Sequence, residues 1–222
     1  VVGNLTKDVI NSAIMFAAGI LSLDADGFTV GADARVNTAA NTYFYLALQA
    51  AAADLKVGTY TGTGADNRSI AGVGFQPDLV IVYREDSRLL VWRDSDVPGD
   101  LTLYFVGNTA ADAIQALEAD GFQVGTGTDV NANTFTYHYI ALKKATGLFN
   151  TFTYAGNGAD DRSLAGLGFQ PTFVHIRRGD NSVVPAVARY EAAVGDLSMR
   201  WNSAEAANQI QAIEADGLQV GT

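Results

Sequence analysis

Two short turns carry the sharpest polar clusters in the chain: Asp66-Asn67-Arg68 and Asp160-Asp161-Arg162. An Asp–Arg pair on a turn can present oxygens and a guanidinium to a sugar, and clustered carboxylates can hold calcium. The same residues can also cap backbone N–H groups while the arginine braces the turn. The spacing departs from the twelve-residue calcium loop, and no metal is expected. Three further acid pairs precede a glycine: Asp24/Asp26, Glu118/Asp120 and Glu214/Asp216. As general acid and base they would need a cleft and one raised pKa. Their placement before Gly27, Gly121 and Gly217 suggests exposed connections following a helix. The two histidines, His138 and His175, fall where other copies of the pattern carry Phe44 and Ile81, so an exchangeable strand position is expected for each. Trp92 and Trp201, with Tyr83, Tyr104 and Tyr190, are candidates for a sugar-stacking surface or for core. No Ser-His-Asp set, H-E-x-x-H, P-loop or dinucleotide fingerprint is present. Neither a catalytic residue nor a cofactor is expected, and the chain does not read as an enzyme.

These clusters recur because the sequence repeats. Tyr60, Gly62, Gly64-Ala65-Asp66, Arg68-Ser69 and Gly74-Phe75-Gln76-Pro77 return as Tyr154, Gly156, Gly158-Ala159-Asp160, Arg162-Ser163 and Gly168-Phe169-Gln170-Pro171. Asp26-Gly27-Phe28, Asp120-Gly121-Phe122 and Asp216-Gly217-Leu218 form a second series, each followed by Val-Gly. Repetition of this kind sets the architecture before any local reading. It divides the chain into residues 1–54 (the C-terminal half of a first copy), 55–147 (a complete second copy) and 148–222 (a third copy lacking its last strand). A piece of a longer chain is the plainer expectation; the alternative is that the third copy borrows a strand from a neighbouring subunit, for which 42–48 is the right type.

Within the complete copy most segments read as strands: 57–61, 78–83, 89–92, 101–105, 122–125 and 134–143, the last apolar on both faces and therefore central. Residues 109–119 read differently. Ala110, Ala113, Ile114 and Leu117 lie at helical spacing, with Thr109 to cap the start and Gly121 to end it. The expected fold is all-β: tandem antiparallel β-sandwich modules of about 95 residues, each with one short helix.

Composition narrows the partners. The net charge is −10, and such a surface repels nucleic acid. No apolar run is long enough for a membrane-spanning helix. Cysteine is absent, which removes disulfides and thiolate metal sites. Arg84, Arg88, Arg93, Arg177, Arg178, Arg189 and Arg200 are expected to meet acids of neighbouring modules.

The order of Phe75-Gln76-Pro77, Asp120-Gly121-Phe122-Gln123-Val124 and Tyr137-His138-Tyr139-Ile140-Ala141 resembles the small β-sandwich of H-type lectins. The turn from Gly62 to Arg68 followed by Gly74-Phe75-Gln76-Pro77 is similar to repeats in bacteriophage tail-fibre and other virion surface proteins. The second resemblance covers most of the chain. Together they imply a virion or surface-appendage structural protein used in assembly and adhesion, at a virion or extracellular surface. The implied partners are copies of itself, other virion or surface proteins, and glycans. The alternative is a secreted or cell-surface carbohydrate-binding module. The residues such a module would use here are Asp66, Asn67, Arg68, Asp160, Asp161, Arg162, Trp92 and Trp201.

Overall fold

The β-branched and aromatic run Leu79–Arg84 alternates buried and half-buried side chains, as a strand with one face on a core must. In the computed structural model, which describes residues 5–8, 15–49, 51, 53–86, 88–105, 109–180, 184–201 and 203–222, that strand lies inside a six-stranded antiparallel sheet. Across the sheet the order is Thr109–Ala110, Thr102–Tyr104, Val91–Asp94, Leu79–Arg84, Thr136–Leu142 and Leu55–Thr61. Thr136–Leu142 is central: it pairs with Leu55–Thr61 on one side and Leu79–Arg84 on the other. A smaller sheet of Ile114–Glu118, Gly121–Val124 and Arg68–Ala71 shares one apolar core with it. Val80, Val82, Val91, Tyr137 and Ala141 from the large sheet meet Ile70, Ile114, Phe122 and Val124 from the small one, and most are fully buried.

The third copy reproduces part of this. Arg162–Ala165, Gly217–Val220 and Ile210–Glu214 pair in the register of the small sheet, down to the same bulge (Ile114/Ala116, Ile210/Ala212). Phe173–Ile176, Val187–Tyr190, Ser198–Arg200 and Ser203–Ala206 form a four-stranded sheet. The first copy contributes the hairpin Ile20–Asp24/Gly27–Val30, with the bulge once more between Ile20 and Ser22, and the pair Leu5–Lys7/Met15–Ala17. The fold is therefore all-β in several antiparallel sheets. The two helices among the described residues, Ala34–Asn37 and Thr128–Asn131, are single turns at matched positions. Among the described residues no helix is long and apolar enough to cross a membrane.

Two sequence expectations are corrected here. Residues 109–119 form no helix; they give strand Thr109–Ala110 and strand Ile114–Glu118. Asp112 takes a left-handed φ of 59°, with 57° at Ala18 and 64° at Asn208 in the matched positions, and that breaks any helical run. Ladder bonds to Gly121–Val124 then outweigh the helix preference of alanine and leucine. Gly121 closes the hairpin rather than a helix: its φ is +150°, and a Cβ there would lie 2.0 Å from the Ile70 carbonyl oxygen. The acid pairs consequently sit at hairpin turns rather than after a helix. Residues 42–48, expected as a strand, join no sheet, and Tyr43, Phe44, Tyr45, Leu46 and Leu48 are exposed. In the middle copy the matched strand is held by neighbours on both sides; no strand lies beside 42–48 among the described residues.

Candidate functional site

The turn at Asp66-Asn67-Arg68 is shaped by its backbone. Asn67 has φ 53° and its counterpart Asp161 φ 54°, a conformation that Asn and Asp tolerate better than other side chains. The Asp66 carboxylate accepts from the Asn67 N–H at 2.8 Å and from Gln115 Nε2 at 2.9 Å. Asp160 accepts from Gln211 Nε2 at 3.0 Å. Arg68 Nη1 donates to the Thr61 carbonyl, and Arg162 Nη1 to the Ala155 carbonyl, both at 2.6 Å. Each guanidinium stands 5.5 Å from a tyrosine ring, Tyr60 or Tyr154. The six turn residues of the sequence reading thus form two separate, equivalent clusters, with Asp66, Asn67, Asp160 and Asp161 exposed and the arginines half-buried.

Around each turn lies a second set of locks. Asp120 accepts from Gly72 N at 3.1 Å and Gly74 N at 2.6 Å; Asp216 accepts from Gly166 N at 3.2 Å and Gly168 N at 2.6 Å. All four glycines have positive φ, so the loop can aim two N–H groups at one carboxylate. The other acid of each pair takes a serine hydroxyl: Ser69 to Glu118 at 3.0 Å, Ser163 to Glu214 at 2.9 Å. Thr102 Oγ1 donates to the Ile114 carbonyl and accepts from its N–H; Ser198 does the same with Ile210, and Thr6 with Ile20.

Three side chains around the turn, Asn131, Asp112 and Gln115, were not read from sequence. Asn131, fully buried, accepts from Thr63 N and Arg68 Nη1 and donates to the Ala65 and Gly125 carbonyls. Asn37 makes the matching bond to Gly31, so its recurrence at the end of the single-turn helix was the available signal. Asp112 accepts from Gln115 Nε2, the Thr126 hydroxyl and Thr126 N, and these donors hold its carboxyl below the usual range. The Tyr137 hydroxyl bridges Thr128 O and Ala132 N, as Tyr43 bridges Ala34 O and Thr38 N.

The arginines divide. Arg93 and Arg189 are buried and, against the expectation that they meet acids of neighbouring modules, pair with no acid of another copy among the described residues. Each is wrapped by carbonyls of its own loop: Leu101, Val97 and Gly99 for Arg93, and Leu197, Ala193 and Gly195 for Arg189. Burial lowers the Arg93 pKa. Arg84 pairs with Asp86 two residues on, and Arg88 lies 3.6 Å from Asp129. Arg178 pairs locally with Asp180. Arg177 does reach another copy, but at a carbonyl: its Nε donates to Tyr104 O at 3.4 Å.

Trp92 and Trp201 are brought together with Phe105 and His175. Trp92 Nε1, Trp201 Nε1 and His175 Nε2 are buried and find no hydrogen-bond partner among the described residues. Burial, assisted by Arg177, pushes the His175 pKa down to about 4. His138 lies on the outer face of the large sheet, stacked on Tyr83 and 2.7 Å from Glu85. Among the described residues no group of three or more His, Cys, Asp or Glu side chains is placed to hold a metal ion. No family model, curated protein or solved structure matches the chain.

Proposed function

We propose that this chain is a structural protein of a virion or surface appendage, built from tandem β-sandwich modules of about 95 residues and used in assembly and adhesion. The observation that supports this most is where the recurring polar side chains act. Asp120 and Asp216, Arg93 and Arg189, and Arg68 and Arg162 hold backbone of their own copy in matching geometry. Residues selected for shape recur in each copy, and a tandem array gains binding strength by multivalency rather than by one deep site. The acidic surface argues against nucleic acid as partner.

The carbohydrate-binding reading has less support, because the rings of Trp92 and Trp201 face Phe105 and His175. Antibodies against this chain, used in electron microscopy of particles and cell surfaces from its source, test the main reading. Regular labelling of fibres or shells is expected, and exclusively soluble, unassociated protein would overturn it. A glycan array run on the same material decides the second reading.

A further inference from the structure

The same two faces of the repeat meet at successive seams. Between the middle and third copies, Trp92 and Phe105 stand against His175 and Trp201, with ring centroids 5.7 Å apart for Trp92–His175 and 5.4 Å for Phe105–Trp201. Phe105 and Trp201 are counterparts, by the alignment of Gly99 with Gly195, so equivalent positions touch as they do near a rotation axis. His175 and Arg177 are the counterparts of Ile81 and Tyr83, on the strand after Pro77.

Between the first and middle copies the arrangement has the same direction. Lys7, the counterpart of Leu103, donates to the Arg84 carbonyl at 3.0 Å, at the end of the matching strand. In both seams the strand that leads to position 105 in one copy reaches the strand 79–84, or its counterpart, in the next. Such a contact is heterologous: it either extends or closes.

A third contact joins the third copy to the first. Phe44 stacks on Tyr190 with centroids 5.5 Å apart, and Ala188 and Met199, counterparts of Trp92 and Leu103, line the same hollow. Phe44 is the counterpart of His138, which in the middle copy lies on Tyr83 of the receiving face. On the third copy this contact uses the face that carries Trp92 and Leu103 in the middle copy; on the first it uses Phe44, because residues 1–54 hold no counterpart of strand 79–84.

We infer that the large sheet of the repeat carries a head-to-tail docking surface whose partner is another copy of the same repeat, and that the three copies of this chain close through it into a ring. The contacts alone carry this, wherever the protein works. The absence of cysteine makes it testable in the full chain. Double variants Phe44→Cys/Tyr190→Cys and Phe105→Cys/Trp201→Cys are treated with a short bis-maleimide at concentrations where size measurement shows single chains. Both pairs are expected to link within one chain, about tenfold more than after unfolding in urea, because a fixed contact raises effective concentration. Linkage at Phe105/Trp201 without linkage at Phe44/Tyr190, or linkage only between chains, would overturn closure. Carbodiimide coupling in the unsubstituted chain is expected to join the Lys7 amine to the Asp86 carboxylate, and absence of that linked peptide would overturn the common direction of the seams. That readout needs no substitution and holds even if a cysteine pair unfolds.

Discussion

In the middle copy the strand Leu79–Arg84 has a neighbour on each side; in the third copy its counterpart Phe173–Ile176 pairs, among the described residues, only with Val187–Tyr190. The consequences stay on that side of the sheet. Tyr60, whose counterpart is Tyr154, packs against Phe122 and Tyr137 and bonds the Val130 carbonyl, while Tyr154 is exposed. Arg68 has Asn131 as a second acceptor, and Arg162 has the Ala155 carbonyl. Away from that side the main locks match, from the glycine loop on Asp120 or Asp216 to the arginine in its collar of carbonyls. Local locks close within a hairpin and the loop next to it. The long strand adds the larger core.

The core should show the contrast most strongly. Phe122 is fully buried against Tyr60 and Tyr139, so Phe122→Ala should cost about 3–5 kcal/mol in chemical denaturation. Leu218, its counterpart, belongs to a smaller cluster, and Leu218→Ala should cost nearer ~2 kcal/mol. Equal costs would mean that the third copy packs as fully as the middle one.

The exchange of Ile81 for His175 sets a pH test. The folded-state pKa of about 4 lies below the ordinary 6.5, so the unfolded chain takes up this proton first as pH falls. Stability from this group is whole above pH 6.5, declines as pH drops towards 4, and is then fully lost. The total is at most roughly 3 kcal/mol, since each pH unit separating the folded and unfolded pKa values is worth about 1.36 kcal/mol. His175→Ile, which installs the residue of the middle copy, should remove that part of the slope when both proteins are unfolded at pH 7 and pH 4.5. Identical slopes would show that the seam leaves His175 in water.

Much of this was legible in the sequence. The β-branched run 78–83 and the alternation in 134–143 marked both strands, apolar residues on both faces gave the second its central place, and the repeated Gly-Phe-Gln-Pro and Asp-Gly motifs marked matching stretches. The segment 109–119 misled because alanine and leucine spacing suits a helix, while the left-handed backbone at Asp112 is invisible in composition. Its counterpart Ile20-Leu21-Ser22-Leu23-Asp24 alternates like a strand, and the copies read together carried the correction. The turn residues were named, but Asn131 and Gln115 were not, since each acts from about 50 to 70 residues away. The aromatic seam escaped entirely: strand alternation places Trp92 on a face and says nothing of what covers it.

Asn131 separates the two turns. Asn131→Ala removes four hydrogen bonds and leaves Thr63 N and the Ala65 and Gly125 carbonyls without their partner, at a cost of about 2–3 kcal/mol. Arg68→Ala should in turn cost more than Arg162→Ala, by about 1 kcal/mol, because only Arg68 holds this second anchor. Equal costs for the two arginines would place the anchoring in the carbonyl bond they share.

The smallest effect tests sameness rather than difference. The Asp120 carboxylate collects the N–H groups of Gly72 and Gly74, and Asp216 those of Gly166 and Gly168, at distances that agree within 0.1 Å (3.1 and 2.6 Å against 3.2 and 2.6 Å). Asp120→Asn and Asp216→Asn keep the shape, exchange a charged acceptor for a neutral one, and turn an NH₂ towards one donor. Each should cost about 1 kcal/mol by denaturation, and the two values should agree. Both loops are exposed, so water can serve the displaced N–H group, which keeps the cost below that of a buried loss. A clear gap between the two would mean that the long strand stiffens the loop of the middle copy from the far side of its core, and the locks would then depend on the complete sheet.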